Sequence, residues 1–350
     1  MDGMPERRSG PGRSRQELDV TSAARDADAA QQASSAQEAL LALDAGQTST
    51  KARIVAPDGG RRDLRLDGVR TDRPLPLQLR ERIREAIAES GTSIGTVAVG
   101  VSGLTDAARD VVELLEDVAP AAGSPHTALL THDSVTSALG ALGDARGAVV
   151  AVGTGVVTLG LGRDAVARVD GWGHIMGDAG SAHWIGQQAL IRVMRAHDGR
   201  GPATALTEAV RRRWADLESA YIALQSDPRQ VSIVASFAAD VSRLAADDAV
   251  AAAICAEAAE ELVTSAVTAL RQVGEADDAS TDVAVTGGVF DAAAIREQFT
   301  ARLAEEIPSA RVVSARGEGV DGAEQLVGLG AGHPLQSRIA RASRDAGAVR

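Results

Sequence analysis

The order of predicted strands and helices repeats once along the chain, and this repeat strongly limits the possible folds. Alternating strand patterns over 39–69 are followed by helix and strand patterns up to residue 142, and the same order restarts at 147. In both halves a strand–helix–strand order predicts a parallel sheet section beside an antiparallel meander. The sequence therefore predicts two α/β domains of one type with a cleft between them.

The predicted elements define the boundaries of the two domains. The first set has strands over 39–46, 50–59, 62–69, 96–103 and 127–133, and helices over 75–90, 105–118 and 134–142. The second set has two strands within 147–162, a strand over 164–171, a helical block over 180–275, a strand over 281–290, a helix over 293–307, a strand over 310–315 and a helix over 321–331. We predict domains over 39–140 and 141–331, a disordered tail over 1–38 and a flexible tail over 332–350.

Composition excludes several classes of function. The chain has 48 acidic and 36 basic residues and a formal charge of −12, which argues against a nucleic-acid partner. Neither an apolar run of membrane length nor a secretion signal is recognisable, so we expect no membrane partner and a cytoplasmic location. The single cysteine, Cys255, can form neither an intrachain disulfide nor a multi-cysteine metal site. We predict a buried structural thiol.

Each half begins with two strands joined by a turn of small residues and threonines. The turns lie in "LDAGQTSTKARI" and "AVGTGVVTLGL". Small residues let backbone N–H groups approach phosphate oxygens, and Asp44 at a strand end could hold the water shell of Mg²⁺. The alternative is an ordinary hairpin turn. The P-loop pattern is absent, so any nucleotide site must be of another kind.

The stretch "DGWGHIMGDAGSAHWIG" concentrates tryptophan, glycine, histidine and aspartate. Three interpretations stay open from the residues alone. His174, Asp178 and His183 could bind a metal, although their spacing fits no common signature. The tryptophans could fill the core. The third is a sugar-binding loop, in which a tryptophan ring covers pyranose C–H groups and carboxylates accept hydrogen bonds from hydroxyls.

Asp133 lies where a strand ends and a helix begins, in "LLTHDSVTSALGAL". A carboxylate there could accept the proton of a sugar hydroxyl during phosphoryl transfer. It could equally cap the helix that follows.

Together these segments resemble the actin/hexokinase/Hsp70 ATPase superfamily. "LDAGQTSTKARI", "AVGTGVVTLGL" and "VAVTGGVF" are similar to its phosphate-1, phosphate-2 and adenosine motifs, in the same order. "DGWGHIMGDAGSAHWIGQQAL" is similar to a stretch that N-acetylglucosamine kinases share with BadF-type ATPases. The resemblance covers about 39–331. It implies an α/β fold of two actin-like (ribonuclease H-like) domains that close over ATP and a sugar across an interdomain cleft.

The resemblance also implies roles for individual residues. The implied ATP-binding residues are Asp44, Gly46, Thr48, Gly153, Thr154, Gly155, Gly287 and Gly288. Asp44 would also hold Mg²⁺ through water, Val289 would line the adenosine pocket, and Asp133 would be the catalytic base. The implied sugar-binding residues are Ser102, Gly103, Asp133, Trp172, Gly173 and Asp178. Trp184 is expected to pack in the core. Gln47 and Ala179 depart from the family, which usually has glycine and glutamate there.

The implied activity is an ATP-dependent amino-sugar kinase that phosphorylates N-acetylglucosamine at O6. Alternatives are a glucosamine kinase, or a BadF-type ATPase or sugar sensor without kinase activity. Activator ATPases of the family hold an iron–sulfur cluster with cysteines, and a lone Cys255 argues against that class. Since family members are often dimers, a homodimer is a possible assembly.

Overall fold

The computed structural model of the protein describes residues 38–70, 72–118, 125–277 and 280–344. The predicted disordered tail therefore lies outside the described residues, except for residue 38. The N-terminal half is a six-stranded sheet in the order β11-β5-β4-β1-β2-β3. Its strands are β1 (Ala39–Ala45), β2 (Ser49–Val55), β3 (Arg61–Asp67), β4 (Ile94–Val101), β5 (Thr127–His132) and β11 (Ala340–Ser343). Its helices are α1 (Leu75–Ser90), α2 (Ala107–Val118) and α3 (Asp133–Leu142).

Parallel pairing in this sheet brings three strand ends to one edge. β1 pairs with β4 with Asp44 opposite Gly100, and β4 pairs with β5 with Val101 opposite His132. The carboxyl ends of parallel strands meet at the same edge, where ligands bind in open α/β sheets. Asp44, Ser102 and Asp133 are therefore neighbours, although they are far apart in the sequence.

The C-terminal half repeats this topology in a five-stranded sheet, with the order β10-β9-β6-β7-β8. Its strands are β6 (Gly147–Val152), β7 (Val156–Leu161), β8 (Val166–Val169), β9 (Thr281–Thr286) and β10 (Ala310–Ser314). In both sheets an antiparallel meander of three strands is extended by two parallel strands on the side of its first strand. This confirms the predicted fold of two ribonuclease H-like α/β units.

The predicted helical block over 180–275 is five separate helices. They are α4 (Ala182–His197), α5 (Leu206–Arg213), α6 (Leu217–Ser226), α7 (Gln230–Leu244) and α8 (Ala249–Val273), and α9 (Ala293–Glu306) follows later. Asp216 and Asp248 divide the block because each caps a new helix, accepting the N–H groups of Glu218 and Ala251. The strand predicted over 281–290 ends at Thr286, and a 3₁₀ turn follows over Gly288–Asp291.

The end of the chain returns to the N-terminal half, which corrects two predictions. α10 (Gly319–Gln325) packs against β1 and α3 rather than within the C-terminal half, and only a 3₁₀ turn continues the helix predicted over 321–331. Within the predicted flexible tail, Leu335 is buried and β11 pairs antiparallel with β5. The pairing satisfies an otherwise open edge of β5. A strand partner so distant in sequence leaves no local signal.

Helix α3 joins the two halves. Leu139 and Leu142 on α3 share one buried cluster with Leu129 of the first sheet and Leu159 of the second. Elsewhere each sheet has its own core. Cys255 is buried in the second core, as predicted, and burial raises its pKa to about 11. Within the described ranges, every helix is too short or too polar to cross a bilayer.

α3 and α10 cross with their backbones in direct contact. A Cβ added at Gly140 would overlap the carbonyl oxygen of Glu318, and one added at Gly322 would overlap that of Thr136. Arg316 also donates its backbone N–H to the carbonyl of Ala141 (3.0 Å). The crossing therefore requires the absence of a side chain at both glycines.

Candidate active site

Asp133 is held at the edge of the first sheet by two side chains. Ser102, directly after β4, donates its hydroxyl to Asp133 Oδ2, and His132 Nδ1 lies 2.8 Å from Asp133 Oδ1. Burial alone would raise the pKa of Asp133, but the hydrogen bonds from His132 and Ser102 outweigh it and hold the pKa below its ordinary value. Asp133 is therefore ionised at neutral pH, with 27% of its side chain exposed.

The helix cap at this point belongs to His132 and not to Asp133. His132 occupies the N-cap position and α3 begins at Asp133, while His132 Nδ1, as the donor to Asp133, is not available to accept the backbone N–H of Ser134 that lies 3.2 Å away. The alternative prediction was that Asp133 itself caps the helix. The cap position lies one residue earlier, at His132. Sequence reasoning passed over His132, although its position directly before the aspartate was the available signal. Next to Ser102, Gly103 has a φ of 76°.

Asp44 ends β1 in an acidic surrounding. Burial raises its pKa to about 7, the charge of Asp133 adds to the increase, and Lys51 opposes it. Lys51 stands opposite Asp44 in the β1–β2 ladder, and its Nζ lies 2.9 Å from Glu318 Oε2. A divalent cation beside Asp44 would relieve the repulsion between these carboxylates.

These residues fit the type of site that Mg²⁺ uses with nucleotides. No group of three or more metal-ligating side chains occurs within the described ranges, so a cation at Asp44 would take most of its ligands from water and phosphate. Mg²⁺ commonly binds in this way, through one or two carboxylates.

The turn between β1 and β2 is compact and unstrained. Gly46 donates its N–H to the carbonyl of Ser49 (3.2 Å) and accepts the N–H of Val69 (3.0 Å), while Gln47 and Thr48 are exposed. Of the described non-glycine residues, only two elsewhere in the chain have positive φ. Gln47, in the place of a family glycine, therefore fits this turn without backbone strain.

The turn between β6 and β7 is fixed to the start of α4. The carbonyls of Gly153 and Thr154 accept the N–H groups of Ala182 (3.0 Å) and His183 (3.1 Å). Ser181 caps the helix by accepting the N–H of Trp184. Gly153 and Thr154 are exposed at the surface of the turn. Trp184 packs against the second core, as predicted.

A cavity of about 450 Å³ lies beside this turn and the glycines after β9. It has the size of a typical small-molecule site. Its lining residues are Gly153, Ala182, Ile185, Ala235, Ser236, Ala238, Ala239, Ser242, Gly288, Val289, Asp291, Ala292 and Ile295. Val289, which the resemblance predicts to line an adenosine pocket, lines this cavity. The wall from α7 was not predicted, although its small residues recur at helical spacing.

Gly287 allows the segment after β9 to approach β6. Its φ is 98°, and a Cβ added there would overlap the carbonyl oxygen of Val152. A side chain would therefore both strain the backbone and separate Gly288 and Val289 from β6.

The loop between β8 and α4 carries the remaining predicted sugar-binding residues. Trp172 is 59% exposed, and the guanidinium of Arg168 lies 4.9 Å from the centre of its ring. Asp178 is buried beneath the β6–β7 turn, where an added Cβ on Gly155 would lie 2.6 Å from Asp178 Oδ2. Burial raises the pKa of Asp178, and the charge of Asp170 raises it further. Hydrogen bonds from the backbone of Val156 and Gly173 partly oppose this increase.

The structure thus groups the predicted residues into two sets. Asp44, Ser102 and Asp133 meet on the first sheet. The β6–β7 turn, the glycines after β9 and the Trp172 loop meet on the second. His174 and His183, considered as metal ligands, lie with their rings 4.8 Å apart.

Two ribonuclease H-like units with glycine turns at their strand ends define an actin-like ATPase fold. The sequence model of the BadF/BadG/BcrA/BcrD ATPase family matches residues 41–325, and the chain belongs to this family.

Named relatives add to this assignment. The chain is 31% identical over 134 residues to N-acetyl-D-glucosamine kinase of Dictyostelium discoideum, a match covering 37% of this chain and 42% of that protein. It is 30% identical over 132 residues to N-acetylmuramic acid/N-acetylglucosamine kinase of Clostridium acetobutylicum, with the same coverage of 37% and 42%. These matches therefore span less than half of either relative.

A solved structure matches over a longer range. The crystal structure of a candidate N-acetylglucosamine kinase from Chromobacterium violaceum superposes with a TM-score of 0.64 at 25% identity, covering 82% of this chain and 98% of that one.

Proposed function

We propose that the protein is an ATP-dependent amino-sugar kinase that phosphorylates N-acetylglucosamine at O6. The observation that carries this proposal is the ionised Asp133, held by Ser102 and His132 at the strand ends of an ATPase fold. The names of the relatives support an N-acetylated amino sugar as the acceptor.

Asp133 is the proposed general base. As the O6 oxygen of the sugar attacks the γ-phosphorus of ATP, a new O–P bond forms and the bond between the γ-phosphorus and the ADP oxygen breaks. The O6 proton passes to the carboxylate of Asp133, and ADP leaves with the electrons of the broken bond. Such a base contributes about 10²–10⁴ in rate. The hydroxyl of Ser102 orients the carboxylate and is also a proposed sugar contact.

The proposed nucleotide site combines both sets of residues. The cavity beside Gly288 would hold adenosine, and the two turns at Gly46–Thr48 and Gly153–Gly155 would bind the phosphates. Asp44 would hold Mg²⁺ through water. When bound, Mg²⁺ neutralises phosphate charge. Mg²⁺ and the cytoplasmic location remain predictions.

The proposed sugar site uses Ser102, Gly103, Trp172, Gly173 and Asp178 with Asp133. The exposed ring of Trp172 would cover a face of the pyranose, since apolar C–H groups pack well on aromatic surfaces. Asp178 is buried and bonded to backbone N–H groups, so any sugar contact has to use its small exposed portion.

A coupled assay of ADP release with a panel of hexoses and amino sugars tests the proposal. N-acetylglucosamine is expected to stimulate turnover most, and a preference for glucosamine would correct the substrate but keep the reaction. Turnover that no sugar stimulates would contradict the kinase function and favour an ATPase or sensor.

The variant Asp133→Asn tests the base. It should still bind the sugar but lose transfer by about 10²-fold or more. Asp144→Asn is the matched control, because Asp144 is exposed beyond the other end of α3. Full activity in Asp133→Asn would remove Asp133 from the proposed mechanism.

A further inference from the structure

One carboxylate closes the loop that carries Trp172. Asp170 Oδ1 accepts the backbone N–H groups of Gly171 (2.7 Å) and Asp178 (2.8 Å). Its other oxygen, Oδ2, accepts the N–H of Ala179 (3.1 Å). Both ends of the loop over 171–179 are thus attached to a single side chain, and bonds to an ionised acceptor are stronger than neutral ones.

The backbone around this carboxylate adopts an unusual conformation. Asp170 and Asp178 have φ values of 59° and 60°, and no other described non-glycine residue has a positive φ. Such conformations persist only where the surroundings compensate for their cost. Here the three hydrogen bonds to Asp170 supply that compensation at both positions.

The closed loop is attached to the β6–β7 turn. The side chain of Asp178 packs against Gly155 and accepts hydrogen bonds from the backbone of Val156 and Gly173. Asp170, which binds the backbone of Asp178, therefore acts on the turn through one intermediate residue. A displacement of the loop would also displace the turn.

The position of Trp172 depends on the same contacts. It follows Gly171, whose N–H is bound by Asp170 and whose carbonyl accepts a hydrogen bond from Arg168. The guanidinium of Arg168 then lies over the indole ring. These contacts hold the backbone directly before Trp172 and place a guanidinium against its ring.

We propose that Asp170 is a positioning residue for the phosphoryl acceptor. It fixes the Trp172 loop relative to the β6–β7 turn, so that the bound sugar is aligned with the γ-phosphate. This inference rests on the proposed function. The carboxylate of Asp170 is occupied by three backbone N–H groups, so its proposed effect is exerted through Trp172 and Asp178.

Two variants isolate the carboxylate from the backbone. Asp170→Gly removes the side chain but tolerates positive φ, and Asp170→Asn keeps an acceptor for two of the N–H groups and also tolerates positive φ. Asp164→Gly is the matched control, because Asp164 is an exposed acid in the turn between β7 and β8.

The first measurement is hydrogen exchange of the free protein. Asp170→Gly should accelerate exchange of the amides of Gly171, Asp178 and Ala179 at least about tenfold, since each loses its acceptor. Asp170→Asn should fall between this variant and the wild type, and Asp164→Gly should match the wild type. Unchanged exchange in Asp170→Gly would overturn the anchoring role.

The second measurement is steady-state kinetics. Asp170→Gly should raise the KM for the sugar by about 10- to 100-fold, and it should also raise the KM for ATP because the β6–β7 turn is attached to the same loop. Asp170→Asn should recover most of the loss, which a simple loss of folded protein would not show.

An unchanged KM for the sugar in an active Asp170→Gly enzyme would overturn the inference and leave the proposed function intact. Absence of sugar-dependent turnover in the wild type would instead overturn the proposed function, and the inference with it. If Asp170→Gly does not fold, the exchange and kinetics of Asp170→Asn decide in the same way.

Discussion

The carboxylate of Asp44 lies against the α-carbon of Gly319, so that a Cβ on Gly319 would overlap it. Asp44 belongs to β1, the first strand of the fold, and Gly319 to a helix formed near the end of the chain. The position of Asp44, which is proposed to hold Mg²⁺ through water, therefore depends on the packing of α10 against β1.

Gly319→Ala should displace Asp44. Because the added methyl group has no space in a buried contact, we expect destabilisation of about 1–3 kcal/mol and a clear loss of sugar-dependent turnover. Gly328→Ala is the control, since a Cβ there meets no atom within 4 Å. Thermal unfolding and the coupled assay measure both effects. Equal stability and equal turnover in the two variants would show that Asp44 can be displaced without a loss of stability or activity.

The raised pKa of Asp44 makes stability depend on pH in the absence of Mg²⁺. Its pKa rises from 3.8 to about 7 on folding, so the folded protein binds this proton more tightly than the unfolded chain does. The free energy of unfolding therefore falls as pH rises through this window, by about 2–4 kcal/mol. Asp44→Asn should lack this part of the dependence of the unfolding free energy on pH. It should therefore be more stable than the wild type at pH 8.

Urea unfolding with a chelator present, at several pH values, measures the slope. Asp144→Asn, at an exposed position, should keep the wild-type slope. If the unfolding free energy of Asp44→Asn depended on pH as strongly as that of the wild type, groups other than Asp44 would be responsible for the dependence.

Gly287→Ala tests the close approach to β6 of the segment after β9, which is proposed to bind adenosine. The variant has both a left-handed backbone and an overlap with the carbonyl of Val152, so the KM for ATP should rise and stability should fall. Gly274→Ala separates the two causes, because Gly274 has a φ of 77° but open space around it. It should cost only about 1–2 kcal/mol. An equal loss of stability in both variants would mean that the contact with Val152 contributes nothing.

Ala239→Leu tests the cavity as the nucleotide site. Ala239 lines the cavity from α7 and is exposed, so a leucine fits the helix but occupies the space proposed for adenosine. The KM for ATP should rise at least about tenfold with little change in the KM for the sugar. Ala223→Leu, on the exposed face of α6, is the control. An unchanged KM for ATP would place the nucleotide elsewhere.

The repeated topology was predictable because strand alternation and helical spacing are local properties. The order of the meander and the parallel strands then brings Asp44, Ser102 and Asp133 to one edge, whatever the details of the loops. The positions of β11 and α10 were not predictable in this way. Their partners, β5 and β1, lie far away in sequence, and only the folded chain shows the contact.

Asp170 was missed for a different physical reason. Its role depends on a left-handed backbone and on three N–H groups that converge only after the loop has closed. Nothing in the residue type distinguishes it from a solvated acid. By contrast, Trp172 and Asp178 stood out through composition and through resemblance to known kinases.

The chain passes between the two halves twice, once over 143–146 and again over 315–318. Two connections restrain the movement of one half against the other more than a single linker would. The glycine contact between α3 and α10 lies beside both connections, so a side chain at Gly140 or Gly322 would disturb the place where the two halves are joined.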